Sequence, residues 1–237
     1  MARELRPLSR EEVRSLDVRA ADELLLPTLL LMENAGRGAA AFFRELVGES
    51  APPPRILILC GSGNNGGDGG VVARHLDAWG FPVRLVWFAN RERLRGDAGA
   101  QWEILERSEI PQTAWLDDHP AEVAPSELDA LLADADWLVD GLLGTGLDRP
   151  VSGALRAVVE AVNRSGKPVL ALDLPSGLDA DAGAPLGVAV RATATATFAA
   201  RKKGFDAPGA DAFTGRVAVV DIGLPARLLR PFWIDRA

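Results

Sequence analysis

Several residue types are scarce in this 237-residue chain, which has one cysteine, two histidines and no tyrosine. A single cysteine, Cys60, cannot form an internal disulfide, so a reducing compartment is expected. No apolar run reaches the roughly 20 residues that a membrane-spanning helix needs. The N-terminal sequence does not resemble a signal peptide. These absences predict a cytoplasmic protein with no membrane partner.

Positive charge is also in short supply. Lys and Arg together number 26 against 33 Asp and Glu, which gives a formal net charge of -7. We therefore expect no basic surface for nucleic acid or for an anionic membrane. A negatively charged ligand must instead be bound by local geometry. The chain is 48% hydrophobic, which is ample for the core of one large domain.

Apolar runs and helical patterns alternate along the chain. Runs typical of strands buried on both faces lie at 55–60, 83–88, 137–140, 168–173, 192–198 and 216–222. Helical patterns lie at 69–79, 98–110, 126–135 and 152–163, and two N-terminal helices are predicted within about 9–47, the first opened by a capping box at Ser9 and Glu12. Because parallel strands need a crossover element between them, this order predicts an α/β fold, a Rossmann-like three-layer sandwich with a mostly parallel central sheet.

The predicted elements form one unit. We expect a single domain over residues 1–237, because no linker or composition shift divides the chain. A short tail at about 226–237 is polar enough to lie on the surface, although Phe232 and Trp233 indicate that it docks against the domain. The six tryptophans are interpreted as core or interface residues, because no basic clusters lie between them.

Three loops rich in glycine or acidic residues follow directly after predicted strands, at 61–70, 140–147 and 173–179. The carboxyl ends of parallel strands meet at one edge of a sheet, where ligands bind, so the loops predict one crevice. The first loop contains G-x-G-x-x-G, the pattern of dinucleotide-binding proteins. An NAD-dependent dehydrogenase is disfavoured, because Asn90 ends the next strand where a ribose-binding acid is needed and Asp68 would repel a pyrophosphate.

Asn65, Asp140 and Ser176 are a candidate cation site in these loops. An amide, a carboxylate and a hydroxyl supply only oxygen ligands, which select a hard cation, and a single charged ligand favours a monovalent ion over Mg²⁺. The alternative is that these groups only brace the loops, and the spacing alone favours that alternative.

Asp173 ends a predicted buried strand, and Pro175 should keep Leu174 extended. The Asp173 carboxylate is then expected at the rim of the crevice, where partial desolvation suits it to acid–base work. Its alternative role is to accept hydrogen bonds from loop N–H groups. Lys202 and Lys203 follow another strand, and they face either substrate phosphates or solvent in a basic turn.

Cys60 is a possible nucleophile by residue type alone. Neither histidine is placed by the sequence as its base, because His75 falls on a helix and His119 in a loop before Pro120. A buried, inert thiol and two structural histidines are therefore predicted.

Five motifs carry a family resemblance when they are taken together and in order. They are LMENAG at 31–36, GSGNNGGDG at 61–69, VDGLLGTG at 139–146, LDLPSGLD at 172–179 and VDIGLP at 220–225. In this arrangement the chain resembles the NAD(P)H-hydrate epimerase family, the YjeF N-terminal domain, over about residues 8–225. The resemblance implies a Rossmann-like homodimer that interconverts the R and S forms of hydrated NADH and NADPH, a repair of nicotinamide nucleotides. A separate ADP- or ATP-dependent dehydratase is implied as functional partner.

The resemblance also assigns site residues. The implied substrate-binding residues are Asn64, Asn65, Gly66, Gly67, Asp68, Gly144, Thr145, Gly146, Leu147, Asp148, Arg149, Pro150 and Asp173. Potassium, one ion per subunit, is implied at Asn65, Asp140 and Ser176. Asp173 and Lys202 are the implied catalytic residues. The proline that usually follows the family's lysine is absent after Lys202.

The substrate carries a hydroxyl on the ring carbon beside nitrogen, a hemiaminal. If Asp173 protonates the leaving hydroxyl, the nitrogen lone pair forms a planar iminium and water returns to either face. Ring opening and closure is the alternative path. A noncatalytic nucleotide-binding or protein-interaction module is the alternative function.

Overall fold

The computed structural model describes residues 4–115 and 124–234. The strands are β1 Glu4–Leu5, β2 Ile56–Cys60, β3 Val83–Trp87, β4 Gln112–Ala114, β5 Trp137–Gly141, β6 Val169–Leu172, β7 Ala194–Phe198, β8 Arg216–Val220 and β9 Trp233–Ile234. The α-helices are α1 Arg10–Leu24, α2 Thr28–Val47, α3 Asn64–Ala78, α4 Gly96–Arg107, α5 Pro125–Ala133, α6 Gly153–Ser165, α7 Asp211–Thr214 and α8 Ala226–Leu229. Short 3₁₀ helices lie at Arg91–Arg93, Lys203–Asp206 and Arg230–Phe232.

Seven strands form the central sheet in the order β4-β3-β2-β5-β6-β7-β8, and every neighbouring pair is parallel. The predicted Rossmann-like sandwich is therefore confirmed. From β2 the chain runs outward through β3 and β4, and it then crosses back to β5 before running outward the other way. The crevice at the carboxyl ends of β2 and β5 lies at this reversal, which is where such sheets bind ligands.

Alternating side chains of β2 supply two cores. Ile56, Ile58 and Cys60 pack in the larger core with helices α1 to α4. Leu57 and Leu59 point the other way and pack with α5 and α6. Since successive side chains of a strand point to opposite faces, a continuous apolar run is needed where both faces are covered by helices. That requirement explains why the sheet strands other than β4 were recognisable in the sequence.

Helix α3 begins at Asn64, five residues before the predicted start at Gly69. Glycines lower helix propensity by about 1 kcal/mol each, which argued for a loop here. Close packing explains the departure, because a Cβ on Gly66 would lie 1.9 Å from the Gly61 carbonyl oxygen and one on Gly69 would lie 2.8 Å from Cys60 Sγ. Most of the predicted loop is therefore a helix start that presses against the sheet.

The two ends of the described chain pair with each other, since β1 and β9 form a small antiparallel sheet. Phe232 is buried, so the predicted docking of the C-terminal segment is confirmed. The predicted capping box is present at the start of α1, where Ser9 and Glu12 satisfy each other's backbone N–H groups. Within the described ranges, every helix is too short or too polar to serve as a membrane span.

Candidate active site at the strand ends

A buried ion pair joins the loops that follow β6 and β7. Lys202 is completely buried, and its Nζ lies 2.6 Å from Asp173 Oδ1. The same ammonium donates to Thr197 Oγ1 at 3.0 Å, to the Phe198 carbonyl at 2.9 Å and to the Ala200 carbonyl at 3.3 Å. An ammonium has three N–H donors, so Lys202 is fully satisfied inside the protein and holds Asp173 in place.

Backbone pairing explains how Lys202 reaches the interior. Leu8 forms a parallel bridge with Lys202, in which the Leu8 N–H donates to Arg201 O and the Lys203 N–H donates to Leu8 O, both at 2.8 Å. Successive side chains in such an extended segment point to opposite sides. Lys202 points inward, whereas Lys203 is exposed. The interpretation of both lysines as a solvated basic turn is therefore wrong for Lys202.

Asp173 lies deeper than the expected rim position, since only 8% of the residue is exposed. Its φ is +64°, in the left-handed region that residues other than glycine rarely adopt. The strand exit therefore turns sharply at Asp173. The turn is held by the Asp173 N–H, which donates to Ala196 O at 2.8 Å, and by Oδ1, which accepts from the Phe198 N–H at 3.3 Å.

Further carboxyl groups surround this ion pair. Asp68 on α3 is 8% exposed. Burial, followed by the Asp173, Asp17 and Asp97 carboxylates, raises the pKa of Asp68 well above its usual range. Burial and then Asp173 raise the pKa of Asp17, on α1, to about 6. Sequence reasoning missed Asp17 and Asp97, because nothing local distinguishes an aspartate on an amphipathic helix.

Asp17→Asn is expected to stabilise the protein at neutral pH but not in acid. The pKa of the Asp17 carboxyl is 3.8 in the unfolded chain, where these neighbours are absent, and about 6 in the folded protein. As the pH rises through that window the unfolded chain ionises first, so stability is lost between about pH 4 and 6. After a discount for partial exposure, removing the charge should recover roughly 1–2 kcal/mol at pH 7.5, or about 2–8 °C in Tm.

Thermal unfolding of Asp17→Asn at pH 4.5 and pH 7.5 measures this effect. Asp22→Asn, at an exposed position on the same helix, is the matched control and should change Tm equally at both pH values. A gain for Asp17→Asn that is the same at both pH values would contradict the assignment of the charge penalty to Asp17.

Asn65, Asp140 and Ser176, the predicted cation ligands, are brought together by α3, β5 and the loop after β6. Ser176 Oγ donates to Asp140 Oδ1 at 2.6 Å, and the Ser176 N–H donates to Oδ2 at 2.8 Å. Asn65 Nδ2 and Ser176 Oγ both donate to the Leu143 carbonyl oxygen, at 3.0 and 3.2 Å. The predicted convergence of these residues is therefore observed.

The donor set suits a monovalent cation. Asn65 Oδ1 is buried and has no hydrogen-bond partner among the residues that the structure describes. Asp140 is completely buried, and burial raises its pKa to about 6 although Ser176 and Leu142 donate hydrogen bonds to it. Among residues 4–115 and 124–234, no group of three or more His, Cys, Asp or Glu side chains could hold a metal ion.

The remaining predicted substrate residues line the same edge of the sheet. Asn64–Asp68 form the first turns of α3, where Asn65 and Asp68 are buried. Gly144 lies against Asn65, since a Cβ built on it would be 3.3 Å from Asn65 Cβ. The segment at 144–150 then runs outward, and Asp148, Arg149 and Pro150 are exposed at its end.

Cys60 and His75 have the structural roles that were predicted. The Cys60 thiol is free and completely buried, and burial, with Asp68 and Asp140, raises its pKa. Such a thiol is inert. His75 Nε2 lies 2.8 Å from Glu33 Oε1, in an ion-pair cluster with Arg74 that ties α3 to α2. His119 lies outside the described residues.

Two cavities of ≈ 590 Å³ each lie outside this cluster of strand-end groups. One is lined by Arg6, Pro7, Ser9, Glu11, Glu12, Lys203 and Asp206, and the other by Ala41, Arg44, Glu45, Gly48, Glu49, Ser50, Pro53, Trp79, Gly80 and Phe81. Neither of these two cavities contains the strand-end groups. The site is located by buried charges and by an amide oxygen without a hydrogen-bond partner among the described residues, because such groups are costly unless they serve a ligand or the chemistry.

A known protein family matches most of the chain. Residues 28–204 match the family model described as YjeF-related protein N-terminus. The chain belongs to the YjeF N-terminal family.

The similarity to curated proteins of this family covers nearly the whole chain. It is 43% identical to a protein of Rhodopirellula baltica named NAD(P)H-hydrate epimerase, over 97% of this chain and 89% of that protein. A protein of the same name from Pirellula staleyi is 40% identical, over 93% of each chain. The bifunctional NAD(P)H-hydrate repair enzyme Nnr of Moorella thermoacetica is also 40% identical, but 92% of this chain covers only 40% of that protein.

A solved structure shares the fold. The crystal structure of yeast ynu0 matches with a TM-score of 0.72, over 84% of this chain and 83% of the yeast chain. The two sequences are 22% identical. The likeness therefore concerns the arrangement of helices and strands alone.

Proposed function

We propose that this protein interconverts the R and S forms of hydrated NADH and NADPH, as an isomerase of nicotinamide nucleotide repair. The observation that carries the proposal is the buried Asp173–Lys202 pair at the strand ends, beside the glycine-rich start of α3. Two relatives named NAD(P)H-hydrate epimerase, at 43% and 40% identity over nearly the whole chain, support it. Neither supports a noncatalytic module.

The start of α3 suits the nucleotide's phosphates. Gly63 precedes the helix, and no side chain in the described part of the chain caps it. Backbone N–H groups of Asn64 and Asn65 are therefore available to an anion. The segment at 144–150 forms the opposite wall, with Gly144 against Asn65. In this arrangement the ring of the substrate reaches inward toward Asp173.

The reaction exchanges a hydroxyl between the two faces of one ring carbon, without net redox change. When an acid protonates the hydroxyl, the hydroxyl leaves as water and the neighbouring nitrogen forms an iminium. Returning water then restores the hemiaminal on either face. The negative charge of Asp173 stabilises this cation and accepts a proton from the entering water. Lys202 orients the Asp173 carboxylate. The Lys202 ammonium is itself buried and held in place by its hydrogen bonds. Binding the shared intermediate better than either epimer is sufficient for catalysis.

We also propose that Asn65, Asp140 and Ser176 hold one K⁺ per subunit. The unpartnered Asn65 Oδ1 and the buried Asp140 carboxylate are the observations that favour it. A bound K⁺ would supply positive charge that offsets the burial of Asp140 and locks α3 against the loop after β5. The site residues would provide the oxygen ligands that a hard cation prefers.

Exchanging K⁺ for tetramethylammonium at constant ionic strength is expected to lower the thermal stability. An ion present at about 100 times its Kd contributes about 2.7 kcal/mol, which corresponds to roughly 5–11 °C in Tm. Asn65→Leu, which removes the free amide oxygen, should abolish the difference between the two salts. Equal Tm values for the unaltered protein in both salts would contradict the cation site.

Assembly and location complete the proposal. The exposed apolar side chains Val18, Leu25 and Leu30, in and between α1 and α2, suit a homodimer contact. Light scattering after size-exclusion chromatography tests this assembly.

A free buried cysteine suits the cytoplasm. The Moorella relative, more than twice this chain's length, bears the name of a bifunctional repair enzyme. That name indicates a second repair activity in the longer protein. We infer that a separate ADP- or ATP-dependent dehydratase is the functional partner here.

The direct test mixes purified protein with separated R and S hydrates of NADH or NADPH and follows their ratio by chromatography. We expect the ratio to reach equilibrium much faster than in buffer, with no change in the oxidised nucleotide. Relaxation at the rate seen in buffer would overturn the proposed function and favour a noncatalytic nucleotide-binding module.

A further inference from the structure

The strand-end site contains more carboxyl groups than positive charges. Asp17, Asp68 and Asp173 act on one another electrostatically, and Lys202 is the cation that acts on all three. Bringing three ionised carboxylates together beside one ammonium in a buried site is unfavourable, because like charges repel strongly at low dielectric. At least one of the three carboxyl groups therefore keeps its proton.

Asp173 is the carboxyl that pairs directly with the ammonium. Its Oδ1 lies 2.6 Å from a fully buried ammonium and also accepts the Phe198 N–H. Hydrogen bonds and an adjacent positive charge both favour the charged form of a carboxyl. Protonating Asp173 would leave Lys202 without a countercharge.

Asp68 is the carboxyl that keeps the proton. It is more than nine-tenths buried, and in the described parts of the chain its carboxyl has no hydrogen-bond or ion-pair partner. Asp17 is only half-buried and ionises more readily. The titratable or charged groups around Asp68 are Asp17 from α1, Asp97 from α4, Cys60 from β2, Asp173 after β6 and Lys202 after β7. From helix α2, Gly36 packs against the backbone carbonyl of Asp68.

We propose that Asp68 is a protonated catalytic acid that donates to the leaving hydroxyl, while the Asp173 carboxylate serves as the base on the other side of the substrate ring. This inference rests on the proposed function and extends it, because Asp68 changes from a substrate contact to a second reacting group. It also gives the two carboxyls different tasks, where the sequence indicated one group for both.

The proposed step balances. The Asp68 proton moves to the hemiaminal hydroxyl, the carbon–oxygen bond breaks to release water, and the nitrogen lone pair forms the iminium. Water then adds to the ring carbon from the opposite face and gives a proton to Asp173. One proton has moved from Asp68 to Asp173 and the configuration is inverted. The reverse reaction, or exchange with solvent, restores the starting state.

The direction of the pKa shift agrees with these roles. Burial and neighbouring carboxylates raise the pKa of Asp68 well above its usual range, so its neutral form persists where ordinary aspartates are ionised. An acid is active only while protonated, so activity should fall as the pH rises through the Asp68 titration. This fall in activity at high pH, the alkaline limb of the pH profile, is the signature to be measured.

Asp68→Asn is expected to lower kcat by about 10²–10⁴-fold, with KM changed less than kcat, and to remove the alkaline limb from the residual activity. Asp68→Glu, which retains a carboxyl, should retain the limb. Asp77→Asn, at an exposed position on the same helix α3, is the matched control and should behave as the unaltered protein. Circular dichroism and Tm confirm that each variant is folded.

An infrared difference spectrum of unaltered protein against Asp68→Asn provides a readout independent of activity. We expect the C=O stretch of a protonated carboxyl at neutral pH, lost in the variant. A carboxylate band instead, or an alkaline limb that survives in Asp68→Asn, would overturn the inference. If the unaltered protein does not epimerise the hydrates at all, the proposed function fails, while the infrared spectrum still decides the protonation of Asp68.

Discussion

Asp173→Asn is expected to reduce kcat for epimerisation of hydrated NADH by about 10²–10⁴-fold while the protein stays folded. Asparagine preserves the shape of the side chain but removes both the negative charge beside the iminium and the ability to accept a proton. Lys202 keeps its three other hydrogen bonds, to Thr197, Phe198 and Ala200, so the loop should remain in place. The relaxation of separated R and S hydrates, followed by chromatography, measures the effect.

Circular dichroism and Tm are needed beside that assay, because a buried ammonium loses its countercharge in Asp173→Asn. The matched control is Asp179→Asn, in the same loop, where the carboxylate pairs with Arg10 at 2.6 Å outside the strand-end cluster. We expect the control to change stability but not the chemistry. Full activity of folded Asp173→Asn would reassign the base to another residue.

Lys202→Met is expected to cause the largest loss of stability, about 3–5 kcal/mol, or roughly 6–20 °C in Tm. Methionine fills much of the same space but leaves Asp173, which is itself nearly buried, as an unpaired charge. Removing one partner of a buried pair is costly because the other partner cannot recover its hydration. Lys203→Met, at the neighbouring exposed position, should change Tm little.

The double variant Lys202→Met with Asp173→Asn separates the charge from the packing. Because neither residue then carries a charge, most of the lost stability should return, whereas activity should not. Thermal unfolding of the unaltered protein, Lys202→Met, Asp173→Asn and the double variant completes this double-mutant cycle. Lys202→Met as stable as Lys203→Met would show that the ion pair does not stabilise the fold.

The strands and layers were largely predictable from the sequence, and the exceptions have physical reasons. Strand β4, three residues at the sheet edge, was missed because Gln112 and Thr113 are only half-buried and carry no apolar pattern. The start of α3 was placed too late because its glycines favour a loop by propensity. Their close approach to Gly61 and Cys60 is a tertiary effect.

The candidate site was predictable only in part. Residues that directly follow buried strands, Asp140 and Asp173, could be placed at one edge, because parallel strands end on the same side. The partner of Lys202 could not be derived from spacing, since its inward direction depends on the distant bridge to Leu8. Asp17 joins the site from an N-terminal helix, at a sequence separation that no local motif spans.

The sequence by itself determined the alternation of apolar runs with helices, the glycine-rich strand ends and the residue types available there, because these follow from local patterns of burial and turn formation. Only the tertiary structure decided which charges share one buried volume. The free energy of a carboxyl or an ammonium depends on the distances to other charges and on the exclusion of water, and both arise when Asp17, Asp68, Asp173 and Lys202 come together from four separate segments of the chain.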